Sequence, residues 1–191
     1  MTEEKKGFRL DWATLKLAVI LFAFAAVVAV ALGLVNKITS DRIAAFNKEK
    51  TAAAMKAVLT SDSYAPVSGS AADKIDLVKE IYAAGSSGWV VMVTPSGFGG
   101  EIEMAVGVDK SGAVTGVSII QMSETSGLGA NAKRESFRSQ YAGKSGSVAL
   151  RRQGGEIDAL TGATVTSTAV TKGVNAALAA AAELIREGAG A

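Results

Sequence analysis

Hydrophobic and polar positions divide the chain into one long apolar block and a longer, patterned region. From Leu17 to Val35 nineteen residues run without a charge or a strongly polar side chain, bounded by Lys16 and by Asn36-Lys37. As a helix rising about 1.5 Å per residue this run spans about 28 Å, close to the thickness of a bilayer's hydrocarbon core. A retained transmembrane helix is expected over residues 17–35, behind a short tail over residues 1–16. A cleaved signal peptide is the competing reading, with Ala29-Val30-Ala31 as its small-residue site. That site lies inside the apolar run, and signal-peptide apolar regions are shorter, so length favours the anchor.

After the apolar run the pattern changes. Ser40-Asp41 reads as a helix start, and Ile43, Phe46, Ala53, Ala54, Ala57 and Val58 form a loose helical stripe as far as Leu59. The stretch 61–72, rich in Ser, Ala, Gly and Asp and containing Pro66, reads as a loop, so residues 36–72 are a stalk helix and linker. A domain over residues 73–191 follows. Its strand-like runs are Trp89–Thr94, Ile102–Val108 and Val114–Gln121, the last two joined by the turn Asp109-Lys110-Ser111-Gly112, which makes them antiparallel. Ala132–Tyr141 is a short helix candidate with Phe137 and Tyr141 four apart. Thr168–Glu187 is a clearer one, with Val170, Val174, Ala177, Leu178, Ala181 and Ile185 on one face. The fold class expected is α+β, a mainly antiparallel sheet with flanking helices behind one transmembrane helix.

Composition narrows the chemistry. The chain of 191 residues has no cysteine and no histidine, which removes thiolate nucleophiles, haem and iron–sulfur ligation, Ser-His-Asp catalysis and most zinc sites. Redox chemistry, if present, comes from a bound organic cofactor. A net charge of +2, with acids interspersed among the bases, argues against a nucleic-acid partner. Charge leaves orientation open, since Lys5, Lys6, Arg9 and Lys16 on one side of the apolar run balance Lys37, Arg42, Lys48 and Lys50 on the other. Trp12 is expected at the membrane interface beside Lys16, and Trp89 in the core rather than beside a ligand.

The densest chemistry lies in Asp158-Ala159-Leu160-Thr161-Gly162-Ala163-Thr164-Val165-Thr166-Ser167, directly before the last helix. Gly162 and Ala163 permit close approach of a bulky group, and Thr166 or Ser167 can cap a helix whose free N–H groups attract a phosphate. Hydroxyls before a helix are also common in plain capped loops, so these features alone favour that simpler reading. Lys133, Arg134 and Arg138 are expected to be a solvated helix face rather than phosphate ligands.

The run Asp158-x-x-Thr161-Gly162-Ala163-Thr164 resembles the flavinylation motif of a family of FMN-binding domains. These occur in the G subunit of the Rnf complex and the C subunit of the sodium-translocating NADH:quinone reductase. Glu124-Thr125-Ser126-Gly127-Leu128-Gly129 resembles the family's Glu-Thr-Pro-Gly-Leu-Gly loop, and Gly97-Phe98-Gly99-Gly100 resembles its Gly-Tyr-Gly-Gly turn. All three stand in the family's order, and the match covers about Val90 to Val174. Two positions depart from the pattern. Ser126 replaces proline, which loosens that loop, and Phe98 replaces tyrosine, which removes a hydroxyl.

The resemblance implies an electron-transfer subunit that is not an enzyme on its own. FMN would be held covalently as a phosphoester on Thr164, with Thr161, Gly162, Ala163 and Gly129 around it. Glu124 and Thr125 would hydrogen-bond the ring or ribityl chain, and Leu128 would exclude water. Asp158 would belong to what a separate flavin transferase recognises. The other partners implied are subunits of a membrane redox complex that couples ferredoxin and NAD oxidoreduction to ion movement. The domain would sit outside the cytoplasm on a single-pass anchor in the inner membrane. Two alternatives stand beside this reading: a freestanding flavinylated protein of another membrane electron pathway, and a non-redox anchored binding or assembly module.

Overall fold

The computed structural model describes residues 12–70 and 74–188, which form two compact units, one ending at Lys48 and one beginning at Glu49. Lys5, Lys6 and Arg9, and Ala71 and Ala72 of the expected linker, lie outside the described residues.

In the first unit helix α1 begins at Trp12; it runs without interruption to Val58. The restart expected at Ser40-Asp41 does not occur, because the Ser40 hydroxyl donates back to the Lys37 carbonyl at 3.1 Å instead of capping a new helix. Trp12 stands exposed at the first turn, and Leu17, Leu21, Phe24, Val28, Leu32 and Val35 are all exposed along the apolar stretch. The stretch is apolar on every side, and the helix is long and apolar enough to cross a membrane.

The second unit is built on a five-stranded antiparallel sheet whose strands lie in chain order: β1 (Ala65–Val67), β2 (Val78–Ala83), β3 (Gly88–Val93), β4 (Glu103–Asp109) and β5 (Val114–Gln121). The three strands read from the apolar runs are β3, β4 and β5. Two more precede them: β1 lies within the expected linker, pairing Pro66 with Tyr82, and β2 pairs with β3. The turn from Asp109 closes as expected, with the Asp109 carboxylate accepting Ser111 N–H at 2.8 Å and Ala113 N–H at 3.0 Å.

Every residue of β3 is buried, because the sheet is covered on both faces. On one face Val91, Val93, Met104 and Val106 pack in the main core with helix α3 (Thr164–Arg186), through Val170, Val174, Ala177 and Leu184. Leu184, not Ile185, occupies the buried position; Ile185 is exposed. Trp89 is buried in this core as expected. On the other face Val90, Met92 and Ala105 meet the end of α1 through Ala54 and Val58. There Gly107 and Gly116, paired across β4 and β5, leave room for the helix end; a Cβ on Gly107 would lie 2.6 Å from the Val58 carbonyl oxygen. The Thr115 hydroxyl donates to that same carbonyl, and Tyr64 donates to the Leu59 carbonyl at 2.7 Å. Side chains of the domain thus satisfy two of the carbonyls that the helix end leaves open.

The single helix expected at Ala132–Tyr141 is three short turns: a 3₁₀ turn Gly129–Lys133, α2 (Glu135–Arg138) and a 3₁₀ turn Ser139–Tyr141. Arg134, extended at φ −69° and ψ 140°, breaks the helical run between the first two. Phe137 and Tyr141 still meet, edge to face at 5.7 Å, and both are buried.

Candidate functional site

Three chain segments converge where α3 begins. The first is the turn after β3, closed by Gly97 N–H donating to the Gly100 carbonyl at 2.7 Å and Ile102 N–H to the Pro95 carbonyl at 2.9 Å. Glycine is required here by crowding, since a Cβ on Gly99 would lie 2.0 Å from the Ser123 carbonyl oxygen. The second is the loop after β5, from Met122 to Gly129. The third is the turn from Leu160 to Ala163, where Gly162 takes φ +74°, a conformation that favours glycine.

Helix α3 starts at Thr164, four residues before the expected Thr168. Ala163 is its N-cap, with no side-chain capping bond, so Thr166 and Ser167 do not cap the helix but sit inside its first turn. Both hydroxyls are committed there. Thr166, buried, donates to Glu124 Oε2 at 2.6 Å. Ser167, also buried, donates to the Ala163 carbonyl at 2.9 Å and accepts Leu160 N–H at 2.9 Å. The N–H groups of Thr164, Val165 and Thr166 have no partner among the described residues. They are the open donors at the positive end of a 23-residue helix.

These donors face a cleft of about 360 Å³. Thr164, half-buried, lines it together with Gly162, Ala163, Glu124, Thr125, Leu128 and Gly129. Phe98, Val165 and Thr166 complete the lining. Phe98 is 74% exposed, Val165 53% and Leu128 44%, so three large apolar side chains from three segments stand open around one cleft. The aromatic in a glycine-rich turn was the signal that could have added Phe98 to the site residues. Val165 carried none, because its role depends on where α3 begins.

Two expected residues stand apart. Thr161 is exposed and outside the cleft lining, and so is Asp158. Asp158 pairs with Arg151 at 2.7 and 3.2 Å, and its backbone exchanges hydrogen bonds with the Gln140 side chain at 2.7 and 3.3 Å. The Arg151 guanidinium holds the Asp158 carboxyl below the usual carboxylate range. Lys133, Arg134 and Arg138 do not line the cleft. Arg138 is tied to the Val117 carbonyl at 2.7 Å and to Glu135 at 2.6 Å.

The residues present fit a phosphorylated flat ligand. Unpaired N–H groups at a helix start suit a phosphate, the apolar walls suit a ring, and the volume is in the range of small-ligand sites. Glu124 faces three protein donors at this cleft. Its carboxylate is taken up by protein donors, Phe98 N–H at 2.8 Å and Gly99 N–H at 3.1 Å on Oε1 and Thr166 on Oε2.

Residues 97–179 match the FMN-binding domain family, and residues 7–58 match the RnfG N-terminal region. The G subunit of the Na(+)-translocating ferredoxin:NAD(+) oxidoreductase complex of Acetobacterium woodii is 35% identical over 91% of this chain and 94% of its own. Its proton-translocating counterpart of Clostridium ljungdahlii is 41% identical over 56% of this chain and 62% of its own. The G subunit of the ion-translocating oxidoreductase complex of Methanosarcina acetivorans is 29% identical over 85% and 92%. Among solved structures, the C subunit of the Na(+)-translocating NADH-quinone reductase of Parabacteroides distasonis aligns over 56% of this chain and 57% of its own. Its TM-score is 0.43 at 21% identity. The chain belongs to the family of G subunits of ion-translocating ferredoxin:NAD(+) oxidoreductase (Rnf) complexes and carries their FMN-binding domain.

Proposed function

We propose that this chain is the membrane-anchored electron-carrying subunit of an Rnf-type complex, with FMN esterified through its phosphate to Thr164. One observation carries the reading. Of the hydroxyls on the first turn of α3, those of Thr166 and Ser167 are consumed by protein acceptors, while Thr164, which lines the cleft, has no hydroxyl partner among the described residues and stands beside N–H groups likewise without one. A phosphate joined there keeps its remaining charge against the positive end of the helix.

Attachment is a phosphoryl transfer without change of oxidation state. Thr164 Oγ1 would form the new P–O bond to the FMN phosphorus, the phosphoanhydride bond of an activated FMN donor would break with the donor's other phosphate group leaving, and the hydroxyl proton would pass to a base of the flavin transferase. Asp158, exposed and outside the cleft, is available as part of the recognised surface, presented on Arg151 and Gln140. Bound FMN supplies one- or two-electron transfer, chemistry that no side chain of this chain offers. The protein's share is position: Gly162 and Ala163 admit the phosphate end, Thr125 offers a hydroxyl at the cleft, and Phe98, Leu128 and Val165 exclude water.

The partners are the other subunits of the membrane complex, as the names of the relatives suggest, with the domain facing outside the cytoplasm. Those names divide between sodium and proton translocation, so similarity assigns no coupling ion here. Co-expression with a flavin transferase tests the reading. After denaturing electrophoresis the native chain gives a fluorescent flavin band and Thr164→Val gives none; a dark native band beside an active transferase would refute the ester.

A further inference from the structure

Glu124 sits half-buried between three segments far apart in sequence, and both of its carboxylate oxygens are used by the protein. Oε1 accepts the backbone N–H groups of Phe98 and Gly99, at 2.8 and 3.1 Å, and Oε2 accepts the Thr166 hydroxyl at 2.6 Å. A single carboxylate thus joins the turn after β3 to the first turn of α3. A second observation is independent of those bonds. A Cβ on Gly97 would lie 2.1 Å from Oε1, and one on Gly129 would lie 2.5 Å from Oε2 and 2.7 Å from Thr166 Oγ1. Gly97 beside Oε1 and Gly129 beside Oε2 leave room for this carboxylate.

We infer that Glu124 is a positioning residue that clips the Phe98 turn to the start of α3 and so sets the width of the cleft between Phe98 and Thr164. Three protein donors already take up both of its oxygens, so its part in the site is to hold the two segments together rather than to serve chiefly as a ligand acceptor. Phe98 gains a fixed backbone with a ring left free at the cleft mouth. Thr166 loses its hydroxyl as a competing attachment point one turn-edge away from Thr164. The inference deepens the proposed function and rests on it for the identity of the ligand, while the clip itself is a property of the flavin-free chain.

Amide hydrogen exchange on the flavin-free full chain in detergent micelles tests it. Charge-assisted hydrogen bonds of this kind predict that Glu124→Ala speeds exchange at Phe98 and Gly99 by roughly tenfold. Thr166→Val speeds it less, Thr166→Ser leaves it as in the native chain, and Glu124→Gln, which keeps one acceptor oxygen, falls between. Amides of β3 and β4 stay unchanged in all four. In the flavin-loaded chain, Glu124→Ala and Thr166→Val alter the visible circular dichroism of the flavin in the same sense, and Thr166→Ser restores it. Unchanged exchange at Phe98 and Gly99 in Glu124→Ala overturns the clip. So does a rise spread equally over β3 and β4, or a Thr166→Ser chain as perturbed as Thr166→Val. A dark band for the native chain in the denaturing gel would remove the ester and leave the exchange result standing.

Discussion

The Ser167 hydroxyl donates to the Ala163 carbonyl at 2.9 Å and accepts the Leu160 N–H at the same distance, so one buried side chain grips both ends of the turn that carries Thr161 and Gly162. The turn leads directly into Thr164, and its shape fixes where that residue enters the helix. Ser167→Ala leaves the Leu160 N–H without its acceptor. The expected loss is about 1–3 kcal/mol of unfolding free energy, read from urea denaturation of the full chain in micelles. On the proposed attachment at Thr164, flavin incorporation falls as well, because the turn that presents this residue loosens.

At the other side of the sheet the end of α1 is part of the domain's packing rather than a tether to it. Gly107→Ala places a Cβ 2.6 Å from the Val58 carbonyl oxygen and 2.3 Å from Thr115 Oγ1. Overpacking of this kind lowers stability by about 1–3 kcal/mol. Thr115→Val removes the hydroxyl that caps Val58 and costs about 1 kcal/mol, whereas Thr115→Ser is nearly neutral. Chemical denaturation midpoints of the three variants check the order.

Tyr141 gives the domain an alkaline limit. Burial pushes its phenol up from 10.0 to about 12, against the opposing hydrogen bond with Thr171 at 2.9 Å. The folded chain therefore holds this proton more tightly than the unfolded chain. Its contribution is complete below pH 10.0 and is lost as pH rises towards about 12. Tyr82, also pushed up to about 12 chiefly by its hydrogen bond to Glu80, acts in the same direction. Tyr141→Phe is predicted to flatten the fall in stability between about pH 10 and 12, measured as denaturation midpoints across that range. An equally steep fall in the variant would assign the alkaline limit elsewhere.

Much of this architecture was legible in the sequence where a single physical signal dominated. The apolar run 17–35, the continuous buried strand β3 and the hairpin at Asp109 each follow from hydropathy or turn chemistry. The strand β2 escaped because a bulge between Val78 and Glu80 breaks its alternation, and β1 because it is three residues long with a proline in the middle. Tertiary contacts decided the rest. Thr164-Val165-Thr166-Ser167 reads as loop by propensity, yet it is helical because Glu124, Ala163 and Leu160 take up its hydroxyls. For the same reason the protein donors to Glu124 could not be read from the sequence, since they come from segments 25 to 42 residues away.

Peptide mass spectrometry of the native chain, co-expressed with a flavin transferase and digested with trypsin, tests the central claim most directly. The peptide from Gln153 to Lys172 contains Thr161, Thr164, Thr166, Ser167, Thr168 and Thr171, so its mass reports attachment and its fragments locate it. The account predicts that this peptide carries the mass of one FMN less one water, with the fragment ions placing it on Thr164. An unmodified peptide from a chain that nonetheless holds flavin, or a modification mapped to any other hydroxyl, would contradict it.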